Sequence, residues 1–361
     1  MTPRLAIVVL QHGRWRDTLT CLQSVVPAVR SGTARVIVVD NASPDDSVVQ
    51  LERWIAGAHA DTPRPVHDTV AARWWPLRGA DASWHCLRRT DATEQHAEHG
   101  LPDWTLDVAP GNDGFAAGMN RGIRLALADP EVDAVWLLNN DAVVDPGCAA
   151  AVRHALDTRA QSVAQFGMTV CYYDRPTIVQ SVGWCRWNPW LATFHQVHDG
   201  ANIGQPLTRE VPHPGYVYGA SWVMRASALR GVGVLSEEGF LYGEELDWAC
   251  RARTAGWESA VIADAIVWHR EGATVGAGAA HHAQRSELAD LCGISARLRN
   301  TRRFFPRQLP AVYSSVLGAA FNRLRRGDPR RAASVARLVI RGGIPAPRPA
   351  RAAASHSPEA S

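Results

Sequence analysis

The stretch VWLLNNDAVVDP, residues 135–146, decides how this chain is read. Four apolar side chains run into Asn139, Asn140 and Asp141, and Asp145-Pro146 is then expected to open a helix. A strand that merely stops needs only a turn, which Asn and Asp form readily. A strand that delivers a ligand to a metal or a phosphate needs the same residues at the same place. The neighbouring sequence has to choose between these two readings.

Upstream, LAIVVL (5–10) and RVIVVD (35–40) are unbroken apolar runs, the pattern of strands covered on both faces. Between them lies a periodic stretch from Asp17-Thr18 to Val29, so the three form a βαβ unit. After Asp40, the sequence NASPDDS predicts a helix with Ser43 as N-cap and Pro44 at its first position, running to about Ala56. Residues 57–103 are rich in His, Trp, Arg and Asp with weak periodicity, and read as an insertion between strands. WTLDVA (104–109) resumes the strand pattern, and GNDGFAAGMNRGIRLALA (111–128) passes from a glycine-rich loop into a helix. YVYGASWVM (216–224) reads as one strand. GEELDWACRARTAG (243–256) reads as a helix closed by Gly256, and SAVIADAIVWH (259–269) as extended chain.

Composition sets the class. The 361 residues are 46% apolar, enough for one large domain with a smaller extension. No apolar run approaches the roughly 18–20 residues of a membrane-spanning helix. The first residues show neither a long enough apolar stretch for a signal peptide nor a small-residue cleavage site. Seven scattered cysteines, none in a C-x-x-C pair, suit a reducing cytoplasm and argue against a zinc cluster or a disulfide framework. The net charge of +3 conceals a segregation: residues 297–351 hold 14 Arg and one acid, while the first 296 residues hold 24 Arg and 33 acids. With its apolar segments, that basic region suits helices lying on an anionic membrane surface, or equally a packing or dimerisation element. It carries no nucleic-acid-binding motif. The final Pro/Ala/Ser-rich residues, 343–361, have the composition of a disordered tail.

The candidate residues each have an ordinary reading. Asp40 ends a strand where open α/β sheets bind ligands, yet could be a turn residue. A dinucleotide site would need G-x-G-x-x-G directly after the first strand, and QHGRWRD stands there instead. Gly114 and Gly118 would let backbone approach a nucleotide closely, although glycine before a helix is common. Glu244 and Glu245 could simply complement the helix dipole. Asp247 and Arg251 form an i,i+4 pair that orients the helix. His269 alone would be an ordinary buried histidine.

Taken in order, these segments resemble the family 2 glycosyltransferases of the GT-A fold, in particular their bacterial rhamnosyltransferase-like members. The resemblance covers roughly residues 4–300 and rests on VVDNAS, NDGFAAGMNRGI, WLLNNDAVVDP, GASWVMRASAL, GFLYGEELDWACRARTAGW, VWH and RLRN. It implies an α/β fold with a mostly parallel, Rossmann-like central sheet flanked by helices. The GT-A domain would span 1–275, followed by a basic helical region at 276–342. Asp40 would match the acid that reads the nucleoside, with Asn41, Asn112, Gly114, Asn120, Asn139 and Asn140 lining the sugar-nucleotide site. Asp141 would bind a divalent cation, Mg2+ or Mn2+, that bridges the donor diphosphate, with His269 as a second ligand. Glu245 would be the catalytic base, Glu244 its companion, and Asp247 and Arg251 its support.

Two departures stand out: Asn139 replaces the first Asp of the D-x-D motif, and Glu245 replaces the commoner Asp. The implied reaction is inverting transfer of a sugar from a dTDP-linked donor, dTDP-rhamnose first, or a UDP-linked one, onto a saccharide or polyprenyl-linked acceptor. The setting would be cell-surface polysaccharide synthesis at the cytoplasmic face of the membrane. A nucleotidyltransferase and a non-catalytic glycan-binding module are the alternative readings.

Overall fold

The computed structural model describes residues 4–57, 84–87, 100–270 and 286–341. Its first half runs β1 (Arg4–Gln11), α1 (Trp15–Arg30), β2 (Ala34–Asp40), α2 (Ser47–Ile55), β3 (Trp84–Leu87), β4 (Trp104–Val108), α3 (Phe115–Ala128) and β5 (Val132–Asn139). Then come β6 (Ala142–Val144), α4 (Cys148–Thr158), β7 (Val163–Tyr172), β8 (Val179–Val182), β9 (Trp184–Asn188), β10 (Thr193–Gln196), β11 (Gly215–Val217) and β12 (Ser221–Arg225). The last part holds α5 (Ala226–Val232), α6 (Glu244–Thr254), β13 (Glu258–His269), α7 (Glu287–Phe304), α8 (Leu309–Arg325) and α9 (Pro329–Ile340).

A ten-stranded sheet in the order β3-β4-β2-β1-β5-β12-β7-β13-β6, with β8 beside β7, forms the centre of the α/β fold. From β3 to β5 every pairing is parallel. Beyond β5 the directions mix: β12 runs antiparallel to both β5 and β7, while β7 and β13 are parallel. Alternation along β1 explains the unbroken apolar runs. Leu5, Ile7 and Val9 face a core shared with α1 and α4, and Ala6 and Val8 face one shared with α3 and α6. The two-sided cover aligns the carboxyl ends of β1, β2, β5 and β13 along one edge.

A small sheet, β10-β9-β11, packs beside α6, and against it lie the C-terminal helices. Val312, Val316, Ala320, Val335 and Leu338 are buried there with Leu246 of α6 and Leu298 of α7. Full burial of a Val or Leu side chain is worth roughly 1.5–3 kcal/mol, so α7–α9 are held on the domain. These contacts cover one face of the basic region. The tail at 343–361 lies outside the described residues.

Several expectations need correction. The stretch 216–224 is two strands, β11 and β12, interrupted at residues 218–220. The helix after Asp40 begins at Ser47, because the Ser43 hydroxyl is engaged with Asp40 rather than capping a helix. The helix after Asp141 begins at Cys148, and Ala142–Val144 pair antiparallel with β13 in between. Within the 57–103 segment, β3 extends the parallel sheet beside β4. The sheet as a whole is mixed, with its parallel half at the N-terminal side.

Candidate functional site

The edge at β1, β2 and β5 is built by short-range hydrogen bonds. Asp40, fully buried, accepts from the Ser43 backbone N–H at 2.8 Å and from the Ser43 hydroxyl at 2.5 Å. Gly13 in turn donates its N–H to Ser43 Oγ, which ties the loop after β1 to the loop after β2. Asn41 donates to Asn112 Oδ1 at 3.0 Å and to the Gly114 carbonyl at 3.1 Å. Asp40, Asn41, Asn112 and Gly114 therefore meet at one place. Gly114 has φ 104°, and a Cβ there would collide with the Phe240 carbonyl, so only glycine lets the 240 loop approach α3.

Asn120, expected among the sugar-nucleotide contacts, lies on α3. It is fully buried, donates to the Leu235 carbonyl and to Glu237, and accepts from the Leu235 N–H. Both amide hydrogens are used in tying α3 to the 235–237 loop.

At the end of β5, Asn140 donates to the Thr18 hydroxyl at 3.0 Å, so it points into the α1 side. Asp141 is buried, with Oδ1 3.2 Å from His269 Nε2. Asn139 Nδ2 lies 3.3 Å from the same imidazole nitrogen. Burial opposes ionisation of Asp141, but the charge and hydrogen bond of His269, the backbone amide and Arg14 outweigh it and hold its carboxyl below the ordinary range.

Gln180, fully buried on β8, was missed by the sequence reading; its Oε1 lies 3.0 Å from His269 Nδ1. A carbonyl oxygen only accepts, so Nδ1 carries the proton and Nε2 is turned towards Asp141. A protonated Nε2 donates to the Asp141 carboxylate, whereas an unprotonated Nε2 is a second acceptor beside it and suits a shared cation. The oxygen and nitrogen donors fit a divalent ion such as Mg2+ or Mn2+. Among the described residues no cluster of three or more His, Cys, Asp or Glu side chains forms a complete metal cage.

The second half of the site is the start of α6. Glu244 is buried and Glu245 half-buried. Burial, then the Glu245 charge, pushes Glu244 up to about 8, against weaker opposition from Arg299 and main-chain N–H groups. Burial also raises Glu245, opposed by the Glu245 and Gly243 backbone N–H groups. The helix is fixed from outside. Arg299 and Asn300 of α7 donate to the Tyr242 and Gly243 carbonyls at 3.0 and 2.8 Å. Asp247 accepts from Arg251 at 2.6 Å and from Arg303 at 2.9 Å, and Arg251 also reaches the Val232 and Val234 carbonyls.

The break between β11 and β12 joins the two halves. Tyr218 meets the His269 ring edge-on, with centroids 6.0 Å apart. A Cβ on Gly219 would collide with Glu245 Oε1. Ala220 accepts from the Asn139 backbone N–H at 3.1 Å. Three consecutive residues thus touch the imidazole, the helix-borne carboxyl and the end of β5. The only sequence signal for this link was a glycine inside an otherwise strand-like run.

The polar sheet edge and the helix-borne Glu244–Glu245 pair are thus joined through residues 218–220. The family model described as "Glycosyltransferase like family 2" matches residues 86–285, more than half of the chain. The chain belongs to that glycosyltransferase family, and its α/β architecture is the GT-A fold with added C-terminal helices. It is 27% identical over 256 residues to an N-acetylglucosaminyl-diphospho-decaprenol L-rhamnosyltransferase of Mycobacterium tuberculosis, a match that covers 64% of this chain and 75% of that protein. Among solved structures, mannosyltransferase PcManGT from Pyrobaculum calidifontis, in complex with GDP-Man and Mn2+, is 15% identical, with TM-score 0.46. That match covers 94% of this chain and 80% of the other. S. aureus TarS 1–349 is 10% identical with TM-score 0.46, covering 94% and 92%.

Proposed function

We propose that this chain is an inverting, divalent-metal-dependent glycosyltransferase. It moves a sugar, with rhamnose the first choice, from a dTDP- or UDP-linked donor onto a saccharide or polyprenyl-linked acceptor. The rhamnose and polyprenyl readings follow the name of the mycobacterial relative. The observation that carries the mechanism is the 218–220 link. It sets the Glu245 carboxyl beside His269 and the buried Asp141, whose own carboxyl is held below the ordinary range.

In this reading Asp40 and Asn41 bind the nucleoside end of the donor, and the Gly114 loop lets backbone approach it. Asp141 and His269 Nε2 would hold the cation, with Gln180 fixing the imidazole and Asn139 beside it. When bound, the cation supplies Lewis-acid stabilisation of the charge that develops on the departing diphosphate. Glu245 removes the acceptor hydroxyl's proton as that oxygen bonds to the anomeric carbon. The carbon–oxygen bond to the nucleoside diphosphate breaks on the opposite face, and the diphosphate leaves with the electron pair. The raised affinity of Glu245 for a proton suits a general base. Glu244, buried beside it, supports the helix start.

Incubation with a panel of sugar nucleotides, an acceptor and Mn2+ or Mg2+ tests this reading. Nucleoside diphosphate release dependent on acceptor and metal is expected. Pyrophosphate release would favour a nucleotidyltransferase, and the absence of any product would favour a binding module. Family membership weighs against both.

A further inference from the structure

Eight large apolar side chains are exposed among the described residues, and they are not scattered. Only Val49 lies elsewhere; the other seven are on the β9–β10 hairpin and on α8 and α9. Trp190, Leu191 and Phe194 form the hairpin group, with Trp190 59% exposed. Leu317, Phe321 and Leu324 recur at helical spacing on α8, with Phe321 60% exposed, and Ile340 at the end of α9 is 82% exposed.

The buried stripe of α8, Val312, Val316 and Ala320, already packs on the domain, so the exposed stripe is surplus to folding. The hairpin group lies beyond the other flank of α8, because Ser315 is about half a turn round the helix from Leu317, Phe321 and Leu324. Arg297 donates to the Leu191 carbonyl at 2.7 Å and to the Ser315 hydroxyl of α8 at 3.0 Å. Around the α8–α9 turn, Arg325, Arg326 and Arg330 are exposed as well. An isolated exposed Leu is ordinary, but exposed Phe and Leu gathered amid unbalanced arginine are not.

We propose that the exposed stripe of α8, with the arginines of the α8–α9 turn, is a seat for an anionic lipid bilayer. The inference deepens the lipid-linked acceptor reading above and rests on it for its purpose, though not for its physics. Aromatic and aliphatic side chains enter the headgroup–acyl boundary, and the arginines meet anionic headgroups. A nucleic acid would use the charge but leave the Leu317–Phe321–Leu324 stripe in water. A second copy of the chain would bring arginine against arginine.

The test is vesicle flotation of the full chain without any sugar nucleotide. Recovery is expected on vesicles rich in phosphatidylglycerol, weak recovery on phosphatidylcholine alone, and loss of the anionic binding at high salt. The L317E/F321E/L324E variant should lose about tenfold or more in partitioning. R325E/R326E/R330E should lose the preference for anionic lipid. Because all six side chains are exposed, circular dichroism and thermal melting should match wild type, and transfer to a water-soluble acceptor should be unchanged. Equal recovery of wild type and both variants would overturn the seat. So would wild type that is dimeric without vesicles and becomes monomeric on the triple-Glu change while floating undiminished. Flotation without any transfer activity would instead count against the proposed function and leave the seat standing.

Discussion

Asp141 and the Glu244–Glu245 pair are all buried or half-buried carboxyls, yet their surroundings drive their protons in opposite directions. Asp141 has an imidazole, a backbone amide and an arginine to offset its burial, and its carboxyl is held below the usual range. The α6 pair sits at a helix start with burial as its largest influence, and Glu244 is pushed up to about 8. Desolvation acts on both; only the compensation differs. The sheet edge favours a charged Asp141, and the helix start holds its glutamate protons more tightly than usual. The contrast is the division expected between binding charge and moving a proton.

The severest way to break this comparison is to remove the fixed charge. Asp141→Ala should lower turnover at least ~10³-fold, the scale of several kcal/mol of transition-state charge stabilisation. Mn2+ binding, followed by calorimetry or electron paramagnetic resonance, should weaken with it. Full activity after exhaustive EDTA dialysis of the wild type would remove the metal from the account.

Glu245→Gln addresses the proton-moving side and should slow turnover by roughly 10²- to 10⁴-fold. Binding of the nucleoside diphosphate should remain near wild type, since the donor side is untouched. The pH profile separates a base from a structural residue. Glu245 must be ionised to act and its proton affinity is raised, so wild-type activity should climb with pH at values above the ordinary glutamate range. The residual activity of the variant should lack that limb. If Glu245→Gln stays active while Glu244→Gln is dead, the base is one residue earlier.

Much of the donor edge was legible because its signals are local. Strands β1, β2 and β5 are apolar runs that end in the very residues at issue, and Asp40 binds Ser43 only three positions on. The boundaries of α6 were equally plain, from Glu244 to Thr254 with Gly256 at φ 84° beyond. What sequence could not show is contact between distant segments. Gln180 reaches His269 across 89 positions, Asn120 reaches Leu235 across 115, and no periodicity marks either. The break at 218–220 was hidden because its neighbours on both sides favour strands. Ser43 misled for the opposite reason: a good helix cap was already committed to an aspartate.

Gly219→Ala sharpens the comparison by disturbing the link rather than either carboxyl. The new methyl would meet Glu245 Oε1, the end of a flexible side chain, so the fold should tolerate it. A displaced base costs rate rather than affinity, and a shift near 1 Å can cost about 10²-fold. A fall in kcat of about 10- to 100-fold with unchanged donor affinity and melting temperature is expected. Unchanged kcat would mean that Gly219 does not set the position of the base.

Glu244→Gln should have the smallest effect on turnover, and its readout is stability against pH. A glutamate that is neutral in the folded protein up to about 8, but ionises at its ordinary value when unfolded, binds more protons folded than unfolded across that window. Stability therefore falls as pH rises between those two values, and the contribution is intact only below the unfolded value. Glutamine resembles the neutral acid in shape and cannot ionise. The variant should match wild type near pH 5 and exceed it near pH 8, by roughly 2–5 kcal/mol if no other group relaxes. Urea midpoints at the two pH values measure the difference. Parallel curves for the two proteins would show that Glu244 ionises as freely folded as unfolded, and the contrast with Asp141 would then rest on Glu245 alone.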